Sequence, residues 1–359
     1  GPTGGATPTG VGSWSITGVP GVSCGQTTGP VSSGVSASYT CSVVGRVAGT
    51  YIPLFVFGGD SSYSSIPGTS GFVTKVDPGD PTITLTSSAT SAALGSTIIF
   101  SATVTGPIGA ITPSGVGTWS ITGVTGITGC TSSDASGSSN VAVYTCRVNA
   151  KLAGTYGATF ALASDGSYNA GSATLPTSGV SVALATPSVV ISSSSTPTLG
   201  GSLTFNVIVT GATGAVAPSG LITVVTSGPV SSAAVCSSTG PATSLGVVTT
   251  FSCTVSTPAS GPYKAQAFFS ADSNYLQKSS TQMSVTISSQ TPAISVVASP
   301  SPTLGGTTIL TTTVIGTTSG PIPTGSISWS VIDPGGHAIP CTSSGSPAIN
   351  LHDFGGCKL

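Results

Sequence analysis

The amino-acid sequence predicts an all-β chain: a linear tandem array of β-sandwich repeats, each about 105 residues long. Three observations carry that expectation. The composition is poor in helix formers, the sequence matches itself at one fixed shift, and apolar and polar residues alternate inside each copy. Glutamate is absent, methionine occurs once and lysine plus arginine seven times, whereas glycine occurs 50 times and proline 26. Long helices need the residues this chain lacks, while Val, Thr and Ile, which it has in abundance, suit pleated strands.

Composition also excludes several functional classes. Charged residues make up 4% of the chain, against roughly 25% in an ordinary soluble domain. Serine and threonine together supply 118 of the 359 residues. A net charge of −1 offers no basic patch for nucleic acid or anionic lipid. Disorder calls for low hydrophobicity, yet 38% of the residues are apolar. No run of about 18 apolar residues occurs, so no membrane span is expected. The sequence opens on Gly1 without a charged-then-apolar leader, which reads as a processed protein or an excerpt of a longer one.

The self-match has two markers. "TPTGVGSW" from Thr7 returns as "TPSGVGTW" from Thr112, "APSGLITV" from Ala217 and "IPTGSISW" from Ile322, each 105 residues on. "SAALGSTIIF" from Ser91 returns as "TPTLGGSLTF" from Thr196 and "SPTLGGTTIL" from Ser301. Copies in one register imply a domain-sized unit repeated along the chain. The expected divisions are residues 1–80, 81–186, 187–291 and 292–359.

Within the copy at 81–186 the elements follow in order. The stretch after Pro81 supplies a first strand. Ile98, Phe100, Ala102 and Val104 then alternate with Thr97, Ser101 and Thr103, as Leu203, Phe205, Val207 and Val209 do in the next copy. That is a strand with one buried face. Pro113, Ser114 and Gly115 turn the chain into a strand carrying Trp119 and Ile121. "NVAVYTCRV" from Asn140 makes another, and "ATLPTSGVSVAL" from Ala173 closes the unit. Seven or so short strands joined by Gly, Pro and Ser turns match an immunoglobulin-like sandwich.

Between the last two of these lies "AGTYGATFALASDGSY", residues 153–168, which the chain carries three times. Tyr156, Asp165 and Tyr168 recur as Tyr51, Asp60 and Tyr63 and as Tyr263, Asp272 and Tyr275, with the aspartate nine residues after the first tyrosine. The first tyrosine is expected near the start of a late strand, its ring buried and its hydroxyl on backbone. The aspartate then fixes the turn at the strand's end by accepting N–H bonds, and the second tyrosine packs beneath the following strand. A calcium site is the functional alternative. Calcium takes about six to eight oxygens, and one aspartate per turn supplies too few.

The "P-T-x-G-G-x-x-T-F" opening, the "P-[ST]-G" turn and the "G-T-Y…G-D-x-x-Y" exit resemble bacterial immunoglobulin-like tandem-repeat domains of large secreted and surface-anchored proteins, adhesins among them. The resemblance spans nearly the whole chain. It implies a structural or adhesive array and carries over no catalytic residue. Many such repeats lack cysteine, whereas each copy here has two.

The eight cysteines pair by spacing as Cys24/Cys41, Cys130/Cys146, Cys236/Cys253 and Cys341/Cys357, at separations of 17, 16, 17 and 16. Zinc ligands come more often in close pairs with histidine, and redox catalysis favours Cys-x-x-Cys, which is absent. Local disulfides are expected, pinning an excursion between the Trp strand and the later Tyr/Phe strand. They place the protein outside the reducing cytosol.

No catalytic, cofactor or metal site is predicted. His337 and His352 occur in the last copy only, and His352 beside Asp353 points to the opposite face of a strand. Paired carboxylates for glycoside hydrolysis fail as well, because the second copy has only Asp134 and Asp165 and the third Asp272 alone. Trp14, Trp119 and Trp329 hold matching positions with Val224 in the third copy. A core tryptophan is the commoner reading, an exposed carbohydrate-binding row the alternative. No N-x-S/T sequon is present, and "SSSSTPT" from Ser192 reads as a linker open to O-glycosylation.

The function expected is extracellular or cell-surface structural material, a stalk, sheath or filament that self-associates. The alternative is an adhesin whose repeats bind a glycan or another cell; an accessory module of a hydrolase is a third class. Projected at 105 residues, the first copy lacks its two opening strands and the fourth its "G-T-Y…D-x-x-Y" strands. Either the chain is an excerpt, or neighbours join head to tail by strand complementation.

Overall fold

The computed structural model describes residues 1–24, 26–127, 130–175, 179–193, 197–230, 234–237, 244–299, 303–346 and 352–358, with side chains at all of these but 26–28, 131–135, 244, 342–346 and 352–358. Every regular element among them is a β-strand. The fold class is all-β, in two compact units, Gly1–Ala183 and Leu184–Leu359. No helix is long and apolar enough to cross a membrane.

The first unit contains one fully built sandwich. Its first sheet runs Thr131–Ser138, Val141–Asn149, Thr97–Thr105, Thr82–Ser87. Its second runs Gly117–Thr122, Gly154–Leu162, Val180–Val182, Ser91–Ala92, with Gly171–Thr174 also on Gly154–Leu162. Alternation explains the core: in Thr97–Thr105 every second residue is buried, and Ile98, Phe100, Ala102 and Val104 are at most 1% exposed. Ala102, Val104, Ala142 and Tyr144 from one sheet meet Phe160 and Leu162 from the other, with Ile83, Leu85 and Trp119 packed against the cluster. Interdigitated inner faces of this kind are how two sheets form one core.

Ahead of it, Gly12–Thr17 pairs with Gly49–Phe57, which also takes Ile66–Thr69 and Thr74–Val76, beside a hairpin Gln26–Ser33/Ser36–Ser42. In the second unit one sheet runs Ser188–Ser193, Ser202–Thr210, Val248–Ser256, Ser244–Leu245. The facing sheet runs Ala234–Ser237, Ile222–Ser227, Gly261–Phe269, Lys278–Ser279, with Met283–Ile287 on Gly261–Phe269. A last sheet, Ala293–Ala298, Ile309–Ile315, His352–Lys358, Thr342–Ser346, is accompanied only by the short pair Val331–Ile332/Ala338–Ile339.

One register recurs. Trp14 lies opposite Phe55, Trp119 opposite Phe160, and Val224 opposite Ala267. The rings stack at centroid distances of 4.8 Å for Trp14–Phe55 and 4.9 Å for Trp119–Phe160. Gly12 and Gly117 make room for them. A Cβ on Gly117 would stand 2.6 Å from the Phe160 ring, and one on Gly12 2.7 Å from Phe55.

Candidate functional site: the aspartate lock

The thrice-repeated motif builds the same arrangement each time. The first tyrosine begins the strand that pairs with the Trp strand or its counterpart. Tyr51, Tyr156 and Tyr263 are at most 5% exposed. Each donates its hydroxyl proton to the carbonyl four residues earlier, Val47 at 2.8 Å, Leu152 at 2.9 Å and Ala259 at 3.0 Å. The same hydroxyl oxygen accepts that residue's N–H. The ring is thereby anchored at both ends, by burial and by two backbone bonds.

Nine residues on, the aspartate uses its two oxygens differently. Oδ1 of Asp165 accepts the N–H groups of Ser167 and Tyr168, both at 2.8 Å, closing a local Asx turn. Oδ2 reaches across to the P-S-G turn and accepts the Ser114 N–H at 2.8 Å and its hydroxyl at 3.0 Å. Asp60 does the same with Ser62 and Tyr63 on one oxygen and Thr9 and Gly10 on the other. Asp272 takes Asn274 and Tyr275 on one oxygen and the Ser219 N–H and hydroxyl on the other. A carboxylate offers about four acceptor positions, and protein donors fill them.

The second tyrosine completes the lock. Tyr168 and Tyr275 are 1% and 0% exposed. Their hydroxyls donate to the Ile111 and Val216 carbonyls, and Tyr63 donates to Ala6. The incoming linker is tied to the same turn. Gly79 exchanges backbone bonds with Ser167 and Asn169, as Ala185 does with Asn274 and Leu276. The strand's end and the P-S-G turn thus meet on one carboxylate, and the linker is bonded to the backbone of the same turn.

Its electrostatics follow from these bonds. Burial pushes the Asp165 pKa up, but the N–H bonds from Ser114, Ser167 and Tyr168 and the Ser114 hydroxyl outweigh it and hold the carboxyl below its ordinary value. At Asp60 the Thr9 and Ser62 N–H groups lead, and the net direction is again downward. Burial, then the Asp165 charge, raises the Tyr168 hydroxyl.

Three cysteine pairs are bonded, Cys24–Cys41, Cys130–Cys146 and Cys236–Cys253, with Cα atoms 5.6, 5.5 and 5.8 Å apart. In the third pair the bond crosses between sheets, since Ala234–Ser237 and Val248–Ser256 belong to opposite ones. The fourth predicted pair, Cys341 with Cys357, lies outside the described residues because the Cys357 side chain does, and so does the His352–Asp353 pair of side chains. His337 sits 3.4 Å from Asp333 on the surface. Trp14 and Trp119 are partly buried, with indole nitrogens that have no hydrogen-bond partner. Among the described residues no three metal-ligating side chains converge.

The spacing of the motif did not disclose that the aspartate also holds the P-[ST]-G turn. A signal was there: both markers recur together in three copies.

No protein-family model and no curated protein sequence matches the chain. Among solved structures it is similar to the Yersinia pseudotuberculosis adhesin InvE at 16% identity and a TM-score of 0.31, over 60% of this chain and 62% of that one. It is also similar to the Escherichia coli adhesin FdeC at 15% identity and a TM-score of 0.29, over 79% of this chain and 90% of that one. The chain therefore spans somewhat under two thirds of the InvE chain.

Proposed function

We propose that the chain is a run of extracellular immunoglobulin-like sandwiches, dividing at 1–80, 81–186, 187–291 and 292–359, that serves as a stiff structural array on or outside a cell surface. The observation that carries this reading is the aspartate lock, built three times over and accompanied each time by a disulfide. A carboxylate spent on backbone donors rigidifies a module and leaves no acceptor for chemistry. Disulfides persist outside the reducing cytosol.

Self-association into a stalk, sheath or filament belongs to the same reading. An apolar groove of about 260 Å³ beside Trp14, Tyr51 and Phe72, and one of about 770 Å³ beside Trp329, support head-to-tail strand complementation. Labelling of intact cells with antibody to the chain, followed by electron microscopy, tests the proposal. Surface label along an extended structure is expected, and label confined to the cytoplasm overturns it.

An adhesin is the second reading, and one observation favours it. Phe268 and Leu221 are 41% and 47% exposed on the outer face of the repeat at 187–291, beside Gln277 and Lys278. The repeat at 81–186 has Ala161 where the repeat at 187–291 has Phe268. Binding of the protein to glycans or cells that Phe268→Ser abolishes supports this reading; unchanged binding removes it.

A further inference from the structure

The strand Gly261–Phe269 presents different chemistry on its two faces. Its inner residues Tyr263, Ala265, Ala267 and Phe269 are buried, while Lys264, Gln266 and Phe268 lie on the outer face. In 81–186 the matching outer positions hold Gly157, Thr159 and Ala161. The neighbouring strand differs in the same sense. Phe269 pairs with Lys278 as Leu162 pairs with Gly171, so Gln277 and Lys278 stand where Ala170 and Gly171 do. Small uncharged residues in one repeat thus correspond to two lysines, two amides and a phenyl ring in the other.

Packing does not account for these side chains. Phe268 and Leu221 border a hollow of about 510 Å³ that opens across three strands. Much of its wall is polar: Thr223, Ser270 and Ser279 bring hydroxyls, Gln277 an amide and Lys278 a cation. A ring surrounded by hydroxyls and amides suits a ligand with an apolar face and a hydrogen-bonding edge, which describes a sugar.

Charge narrows the choice. The chain has seven lysines and arginines, and two of them, Lys264 and Lys278, are exposed at opposite ends of this strip. The strip from Lys264 to Phe269, the partner of Lys278, is about 16 Å long. Among the described residues neither lysine meets a carboxylate. Asp272, the nearest acid in sequence, spends its oxygens on the N–H groups of Asn274, Tyr275 and Ser219. Two unpaired cations in a chain so poor in charge are complementary to anionic groups on a ligand.

We propose that the outer face of Gly261–Phe269 binds an acidic polysaccharide. One sugar ring stacks on Phe268, and carboxylate or sulfate groups meet Lys264 and Lys278. Gln266 donates its amide N–H to the Ser280 carbonyl at 3.0 Å and keeps its amide oxygen for a ring hydroxyl. The lysines stand too far apart for one ring to reach both, which favours a polymer over a single sugar. In 1–80 the matching outer positions hold Ile52, Leu54 and Val56, so the site belongs to 187–291. The inference rests on the adhesin reading and supplies its ligand class.

The test uses the full 359-residue protein with its disulfides intact and three oligosaccharides of equal length: oligogalacturonate, its methyl ester and a sulfated dextran. Titration calorimetry reads affinity and stoichiometry. An acidic oligomer should bind one to one and about tenfold more tightly than the ester, the order that two exposed ion pairs supply. Whichever acidic oligomer binds tighter names the acid. Binding should fade at about 1 M salt, where the screening length falls to about 3 Å. Lys264→Gln and Lys278→Gln should each weaken acidic binding about threefold and leave the ester unchanged. Phe268→Ser should weaken binding of all three about tenfold. These side chains are exposed, so the variants should keep the parent's thermal midpoint. Equal binding of acid and ester overturns the proposal and leaves a neutral-glycan adhesin standing. Acidic binding that Phe268→Ser does not change overturns it too, as does tighter binding of an oligothymidylate of equal charge, which makes the face a nucleic-acid site. Failure of all three oligomers to bind also overturns it, whereas the adhesin reading falls only if cell binding survives Phe268→Ser.

Discussion

Two regions with the same kind of sequence end up in opposite conditions. In 81–186, Ile83 and Leu85 lie on the cluster of Phe160 and Leu162. In 292–359, Ile294 and Val296 face the same way from the same register and are mostly exposed. The strands that bear them are of one type, so local sequence does not account for the difference. In 81–186 the partner of those strands across the core is Gly154–Leu162, the strand running from the first tyrosine toward the aspartate. That strand supplies the opposing face of the core, the ladder partner for the Trp segment and the acceptor that fixes the P-[ST]-G turn.

The comparison can be broken most severely at its centre. Phe160→Ala removes a fully buried ring and should cost about 3–5 kcal/mol, while Val296→Ala, on the bare face, should cost under about 0.5 kcal/mol. Denaturant midpoints of the two variants measure the gap, and equal losses would mean that the groove at 292–332 is filled. Replacing Cys130 and Cys146 together by serine should cost about 3 kcal/mol, the chain-entropy value for a loop of this length. Non-reducing peptide mapping should place a fourth local bond between Cys341 and Cys357; a free thiol there, or a link between Cys41 and Cys130, contradicts it.

A smaller loss sharpens the account of the lock. Asp165→Ala strands the N–H groups of Ser114, Ser167 and Tyr168 and should destabilise by about 1–3 kcal/mol, with faster hydrogen exchange at those three amides. Tyr156→Phe removes the hydroxyl bond to Leu152 alone and should cost about 1 kcal/mol in the same assay.

Acid should have the least effect. Asp165 and Asp60 titrate below their ordinary value, so the stability they contribute is complete above the unfolded carboxylate pKa of about 3.9 and fades only below it. Circular dichroism should stay flat from neutral pH to about pH 4. The alkaline side differs. Burial raises the hydroxyls of Tyr144, Tyr156, Tyr168 and Tyr275, so the stability they lend is present below about pH 10 and lost as pH climbs through their folded values. Cooperative unfolding between neutral pH and about pH 4 refutes the acid half of this expectation.

Much of the fold was legible because burial writes itself at period two. The alternation in Thr97–Thr105 and Ser202–Thr210 named core residues that are buried in the structure, Phe100 and Phe205 among them. The second oxygen of the aspartate was not legible. The partner of Asp165 there, Ser114, lies 51 residues away, and a long-range hydrogen bond leaves no periodic trace. Gly117 was likewise silent until the Phe160 ring was seen to lie against it, since a glycine in a strand does not say what approaches it.

Because Asp60, Asp165 and Asp272 are held by amide and hydroxyl dipoles at hydrogen-bond distance, the bonds that lock the sandwiches offer little for dissolved ions to screen. Among the described residues, ionic side chains meet only at Lys75–Asp77 and His337–Asp333, both on the surface. Debye screening acts on separated exposed charges and hardly touches bonds made in contact. The fold should therefore keep the same shape and stability in fresh water and in brine, whatever the surrounding salinity.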